Sequence, residues 1–420
     1  MVSRHCFLDM NAFFASVEQQ ERVELRGKPI IVVPLEVETT CAIAASFEAR
    51  KWGIKTGTSV KAARKACPGI KVIPARPAVY LEYHRGIVEV LDRHFVDLKP
   101  LSVDEMVGTV SRFERGIEKE ERLGRTIKRE IREQLGEQMT CSVGVAENVF
   151  LAKVAAETMK PDGLVIWQND QAEEMLSRLA LMDLPGIGRQ MAARLERAEI
   201  RTVRDLVAAD RWVLRRAWGG VVGERWYEML RGSQVADYGM YETGVKKSVG
   251  HSHVLPPEFR THTGVQQITF RLFSKCMQRL RRYGQAASNI EVRVGYKNLE
   301  THVAYSWKRS SKKHRHANDE ITWGQILRPI VESIPKAKAG YVPCSAAVTF
   351  SGLIACSDMN LCLFDDPIGR THLCNTMDAL NELYGHVLDV ASVFWVRDQA
   401  PKRIPFGVVE GKGNKEQDNS

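Results

Sequence analysis

Three acidic residues in two short motifs constrain this chain most. Phe7-Leu8-Asp9-Met10-Asn11-Ala12-Phe13-Phe14-Ala15-Ser16-Val17-Glu18 carries Asp9, and Leu101-Ser102-Val103-Asp104-Glu105-Met106 carries Asp104 and Glu105. Each acid stands at the end or turn of an apolar β segment. Three converging carboxylates repel one another unless divalent cations hold them together. Hard cations such as Mg²⁺ take oxygen ligands of this kind, and a pair of them suits phosphoryl or nucleotidyl transfer.

Alternation and periodicity outline the surroundings. Cys6–Met10 reads as a buried strand and Asn11–Gln20 as a helix. Pro29–Pro34 is a β-branched strand run. Cys41–Trp52 and Ser59–Lys65 read as helices. Val96–Val110 reads as two strands that put Asp104 and Glu105 at a hairpin tip. Leu123, Ile127, Ile131 and Leu135 recur every fourth residue, predicting an amphipathic helix over Arg122–Leu135. Thr140–Val145 is a strand, and Asn148–Met159 a helix ended by Pro161. The order β-α-β-β-α-β fits a split βαβ, ferredoxin-like unit. Residues 249–350 alternate strand-like runs with helices at Gly264–Tyr283 and Gly324–Ser333. Ser310–His316 reads as a mobile loop, and Gly411–Ser420 as disordered.

The 420 residues exceed one typical domain. No apolar run reaches membrane-span length, and the opening residues predict no signal peptide. Nine scattered cysteines without a Cys-x-x-Cys pair predict reduced thiols, a cytosolic setting and no zinc site. The net charge of +9 permits a polyanionic partner.

A third motif, Cys141-Ser142-Val143-Gly144-Val145-Ala146-Glu147-Asn148-Val149-Phe150-Leu151-Ala152-Lys153, runs on to Met159-Lys160-Pro161-Asp162-Gly163. The three motifs, in this order and spacing, resemble those of Y-family (translesion) DNA polymerases, and the resemblance covers about residues 5–350. It implies an α+β multidomain, right-hand polymerase: palm at 1–20 and 75–165, small fingers at 21–74, and a helical helix-hairpin-helix thumb at 166–236. A linker at 237–248 leads to an α/β little finger at 249–350 and a C-terminal tail at 351–420.

The resemblance also implies roles. Asp9, Asp104, Glu105 and the Met10 carbonyl would hold two Mg²⁺ ions. Phe14 would be the steric gate that excludes a ribose 2′-hydroxyl, with Phe13 in the core. Ala44-Ala45-Ser46-Phe47-Glu48-Ala49-Arg50-Lys51 resembles the fingers motif, in which Phe47 and Arg50 face the triphosphate; Lys160 approaches the same phosphates from the palm. Ala44 and Phe47 replace the usual Thr and Tyr, which predicts nucleotide binding weaker by ~1 kcal/mol per lost hydrogen bond. Asn11 replaces the commoner Asp, as in the bacterial polymerase V catalytic subunit, while the rest of the chain resembles polymerase IV at least as well.

Leu184-Pro185-Gly186-Ile187-Gly188-Arg189 resembles a helix-hairpin-helix in which Gly186, Gly188 and Arg189 grip a DNA backbone. Lys247 opens the little finger, where Arg271–His316 holds twelve Lys or Arg against two Glu. Asn360-Leu361-Cys362-Leu363-Phe364 resembles a sliding-clamp-binding peptide, with Leu361, Leu363 and Phe364 as apolar anchors and Asn360 in place of Gln. The implied partners are primer-template DNA, deoxynucleoside triphosphates, the clamp and accessory subunits, with no membrane. The implied setting is cytoplasmic and nucleoid-associated. A catalytically weak or inactive scaffold recruited to the clamp is the alternative, and a nucleotidyl cyclase a second; the intact carboxylates argue against the first, and the DNA-gripping elements against the second.

Overall fold

A computed structural model describes residues 3–38, 40–168, 171–234, 247–301, 303–359, 367–384 and 388, which fall into two compact units, the first holding the described residues up to 234 and the second those from 247. The first unit begins with β1 (His5–Met10) and α1 (Phe13–Glu21). A small subdomain follows: β2 (Ile30–Val33), β3 (Ala44–Ala45), α2 (Phe47–Arg50), α3 (Val60–Ala66) and β4 (Lys71–Pro74). The chain then forms α4 (Pro77–Leu91), β5 (Lys99–Pro100), β6 (Glu105–Thr109), α5 (Ile117–Leu135), β7 (Cys141–Ala146), α6 (Val149–Thr158) and β8 (Leu164–Ile166). Short helices α7 (Ala172–Ser177), α8 (Arg189–Arg197), α9 (Val203–Ala208), α10 (Arg211–Trp218) and α11 (Val221–Leu230) complete it.

The main sheet runs β5-β6-β1-β7-β8. Its central strand β1 is almost wholly buried and lies antiparallel to both β6 and β7. In that register Asp9 faces Glu105 on one side and Ser142 on the other. The parallel pair β7 and β8 is bridged by α6. Gly144 makes this bridge close: a Cβ there would lie 2.1 Å from the Ala152 carbonyl oxygen and 2.4 Å from the Ala156 nitrogen. The glycine in the strand and the alanines in the helix are therefore one packing device. Asn148 caps α6 by accepting from the Leu151 amide (2.8 Å), while its own amide donates to the Met229 carbonyl at the end of α11 (2.9 Å).

Three segments of the first unit differ from the sequence expectation. Helix α1 starts at Phe13, because Asn11 turns its side chain across to β7 and Ala12 adopts a left-handed conformation (φ 48°). Cys41–Trp52 is mostly not helical: Ala44–Ala45 pairs with β2, and only after Ser46 caps the chain through the Ala49 amide does the short α2 form. Its small residues carry little periodic signal, so sheet pairing decides. Glu105 is already the first residue of β6, so only Asp104 belongs to the turn.

The second unit comprises β9 (Ser248–Val254), α12 (His262–Arg282), β10 (Gln285–Asn298), β11 (Ala304–Ala317), α13 (Glu320–Glu332), β12 (Tyr341–Ala355) and α14 (Pro367–Tyr384). Its sheet runs β11-β10-β12-β9 and shares an apolar core with α12 and α13, with Trp323 edge-on to Phe350. Ser310–His316 is no loop but part of the long edge strand β11: Ser310 pairs with Glu291 and Lys312 with Asn289. An edge strand studded with charge lacks an apolar face to betray it, and such charges blunt edge-to-edge pairing. Helix α14 was unexpected from the sequence; its Asp378 pairs with Arg281 of α12 at 2.6 Å. Among the described residues no helix is long and apolar enough to cross a membrane.

Gly144→Ala should destabilise the protein by about 2–4 kcal/mol, since the helix and strand backbones cannot both stay in place. Urea denaturation followed by circular dichroism checks this.

Candidate active site

The register of β1 and β6 puts two like charges side by side, an arrangement that destabilises a sheet by itself. Glu157, from the last turn of α6, joins them: carboxylate oxygens of Asp9, Glu105 and Glu157 lie within 4.8 Å of one another. Two lysines offset this charge. Lys160 Nζ lies 2.8 Å from both Asp9 Oδ2 and Glu157 Oε1. Lys153 Nζ lies 2.6 Å from Glu105 Oε1.

Burial pushes the Asp9 carboxyl up to about 7, against the pull of Lys160 and with help from Glu157 and Glu105. Burial also raises Asp104, which accepts from the Ser102 hydroxyl at 2.6 Å. Lys160 is raised despite its burial, because Asp9 and Glu157 favour its charged form. Carboxylates this close, with a buried Asp9 among them, fit a divalent cation that would replace the ammonium groups as counter-charge.

Asp9 and Asp104 open onto a cleft of about 320 Å³, also lined by Met10, Asn11, Phe13, Phe14, Ile43, Ala44, Phe47, Arg50, Thr56 and Lys160. The palm and fingers residues expected at a nucleotide thus share one cavity. Asp104 lies on the cleft wall, but Glu157 rather than Asp104 is third in the tightest acid cluster. The sequence did carry a signal for Glu157, its i,i+3 spacing to Lys160 at a helix end.

Phe13 is not confined to the core; both phenylalanines are buried and both reach the cleft. Tyr80 stacks on Phe14 (centroids 4.5 Å apart, planes at 32°), and its hydroxyl donates to Glu18 at 2.8 Å. Glu18, fully buried, also accepts two bonds from Arg76 at 2.8 and 2.9 Å. The last acid of the opening motif therefore braces the ring under Phe14. Sequence reasoning missed Tyr80, since 62 residues separate it from Glu18. Thr56 was also missed; it brings a hydroxyl to a wall where Ala44 and Phe47 have none. The Arg50 guanidinium lies 5.1 Å from the centre of the Phe47 ring.

Away from the cleft, Gly186 takes a left-handed φ of 94°, and Gly188 precedes the first residue of α8, Arg189; all three are exposed. Lys247 is exposed just before β9. Asn360, Leu361, Leu363 and Phe364 lie outside the described residues.

The impB/mucB/samB family model matches residues 8–157, a DNA polymerase-iota thumb domain residues 182–234, and the impB/mucB/samB C-terminal domain residues 246–360. DNA polymerase IV of Moorella thermoacetica is 33% identical over 92% of this chain and 95% of its own length. The chain belongs to the Y family of translesion DNA polymerases. DNA polymerase IV of Bacteroides fragilis is 31% identical over 69% of this chain and 78% of its own. A Dbh-Dpo4-Dbh Y-family polymerase chimera shares the fold (TM-score 0.68, 24% identity), covering 84% of this chain and 99% of the chimera. An insertion ternary complex of Dbh DNA polymerase matches with a TM-score of 0.52 at 23% identity over the same shares.

The raised Asp9 carboxyl has a sign that can be tested. Between its ordinary value of 3.8 and about 7 the folded state holds a proton that the unfolded state has lost. Stability of the metal-free protein therefore falls as pH rises through that window and levels off above it. At pH 8 with chelator, Asp9→Asn should stabilise the fold by about 1–3 kcal/mol, and at pH 4 the difference should shrink. Urea titrations at the two pH values measure it.

Proposed function

We infer that this chain is a metal-dependent, template-directed DNA polymerase of the translesion class, which adds deoxynucleotides to a primer 3′-hydroxyl and releases pyrophosphate. The observation that carries the reading is the carboxylate cluster around the buried Asp9, beside a cleft lined by palm and fingers residues, in a chain that matches a polymerase IV over nearly its whole length. Asp9, Asp104, Glu105 and the Met10 carbonyl would hold two Mg²⁺ ions. When bound, these ions supply the charge that ionises the primer hydroxyl and neutralises the leaving pyrophosphate.

The protein's own residues bind and orient. Lys160 and Arg50, which both line the cleft, would take the triphosphate oxygens, where a guanidinium can bind in two-pronged fashion. Phe14, backed by Tyr80, would sit under the sugar and exclude a 2′-hydroxyl by contact. Phe47 would pack on the incoming nucleotide without the hydroxyl of a tyrosine. The domain reading assigns the main sheet to the palm, residues 21–74 to the fingers, the α7–α11 helices to the thumb and residues 249–350 to the little finger. Gly186, Gly188 and Arg189 in the thumb, with Lys247 and the basic strand β11 in the second unit, would follow DNA phosphates without reading sequence. Residues 360–364 would tether the enzyme to a sliding clamp, and accessory subunits remain compatible with this arrangement. The relatives are bacterial polymerases, which supports a cytoplasmic enzyme working at the nucleoid.

Primer extension with Mg²⁺ on intact and abasic templates tests the reading. Wild type should extend both, and Asp104→Ala should lose extension by about 10³-fold or more. A protein that binds primer-template tightly yet extends nothing, clamp present, would be a scaffold instead. Phe14→Val should raise incorporation of ribonucleotides relative to deoxynucleotides by about 10–100-fold, read from single-nucleotide kinetics.

A further inference from the structure

Asn11 stands two residues after Asp9 and is 3% exposed. Its side chain reaches away from α1 and spans two other segments. Nδ2 donates to Ser142 Oγ of β7 at 3.0 Å and leans on the Asp9 carbonyl at 3.4 Å. Oδ1 accepts from the Asp162 main-chain amide at 2.6 Å and from Thr140 Oγ1 at 3.4 Å. An amide N–H can only donate, so the bond from Asp162 settles which end of the Asn11 side chain is oxygen. The main chain of Asn11 is committed as well: its N–H donates to the Thr140 carbonyl (2.9 Å), and its carbonyl accepts from Ser16 Oγ (2.7 Å).

Asp162 lies in the turn that carries Lys160. It has a left-handed backbone (φ 58°), which Asp adopts more readily than most side chains but less readily than glycine. Lys128 and Arg132 of α5 hold its carboxylate from one side, with Lys128 Nζ 3.1 Å from Oδ1. Asn11 holds its amide from the other. Lysine has a long, flexible stem, so where its ammonium can go depends first on where its Cα is fixed. Asn11 fixes that point relative to the end of β1, and hence relative to Asp9.

We propose that Asn11 is a positioning residue: through the Asp162 amide it sets the separation between the Lys160 ammonium and the Asp9 carboxylate, and so registers the triphosphate against the metal-binding acids. This rests on the reading of Lys160 as a phosphate-binding side chain. An amide suits the task better than a carboxylate. It donates to Ser142 as well as accepting from Asp162, and it adds no charge beside Asp9, Asp104, Glu105 and Glu157.

The test is steady-state nucleotide incorporation by Asn11→Ala and Asn11→Asp, each made in wild type and in Lys160→Ala. Asn11→Ala should raise the nucleotide KM about five- to tenfold, with kcat within about twofold. Asn11→Asp keeps the acceptor for the Asp162 amide and should recover most of the KM. In the Lys160→Ala background, Asn11→Ala should add nothing further, because its effect runs through Lys160. An unchanged KM in Asn11→Ala, or an equal rise in both backgrounds, overturns the proposal. If Asn11→Ala does not fold, Ser142→Ala, which removes only the acceptor on Nδ2, carries the same comparison. It should give a KM rise of about two- to threefold that vanishes with Lys160→Ala, and a rise equal in both backgrounds again overturns it. Should Lys160→Ala alone leave KM unchanged, the phosphate-binding reading fails and this inference with it. Should Lys160→Ala raise KM while Asn11→Ala does not, only the role of Asn11 fails.

Discussion

The pairing of Asp9 with Glu105 across β1 and β6 is the constraint on which the rest of the first unit depends. Two carboxylates side by side on buried strands are unfavourable by themselves, and the surroundings are built to tolerate them. Gly144 lets α6 press against β7, which brings Glu157 and the turn bearing Lys160 to the strand ends. Lys153, one helix turn earlier, covers Glu105. The site thus keeps its acids close through backbone packing and offsets them with ammonium groups.

The wall around Phe14 follows a different logic, built from a chain of side-chain contacts. Glu18 accepts from Arg76 and Tyr80, Tyr80 stacks on Phe14, and Phe14 faces the cavity. These contacts in series leave the ring little room to move. Of the other residues lining the cleft, Ala44 and Phe47 offer no hydroxyl, while Thr56 offers one from a different position.

The second unit answers a different physical demand. Its sheet buries one face on α12 and α13 and ends in a basic edge strand, β11. Cations crowd that strand, with Lys308 beside Arg309 and Lys312 beside Lys313. This charge hides its Ser310–His316 half from a reading based on apolar alternation.

What the sequence determined by itself are the features encoded locally. Apolar runs bounded by turns mark β1, β2 and β7; four-residue periodicity marks α5; the short motifs around Asp9, Asp104 and Lys160, by their resemblance to those of Y-family polymerases, mark the chemistry. These were legible because strand and helix periods and motif spacing act over a few residues. Tertiary structure alone decided which side chains meet across long separations. Glu157 enters the acid cluster only because α6 crosses β1 closely, and Tyr80 reaches Phe14 only because α4 folds back on α1. Both Phe13 and Phe14 reach the cleft, which helical spacing could not divide between core and wall. Ser310–His316 became a strand, since pairing to β10 satisfies its backbone whatever its side chains. Asn11 shows the difference most sharply. Its position in the opening motif was plain, but its partners Ser142 and Asp162 lie 131 and 151 residues away. Only folding brings one amide within reach of both, and no local pattern encodes a contact made between two segments so far apart.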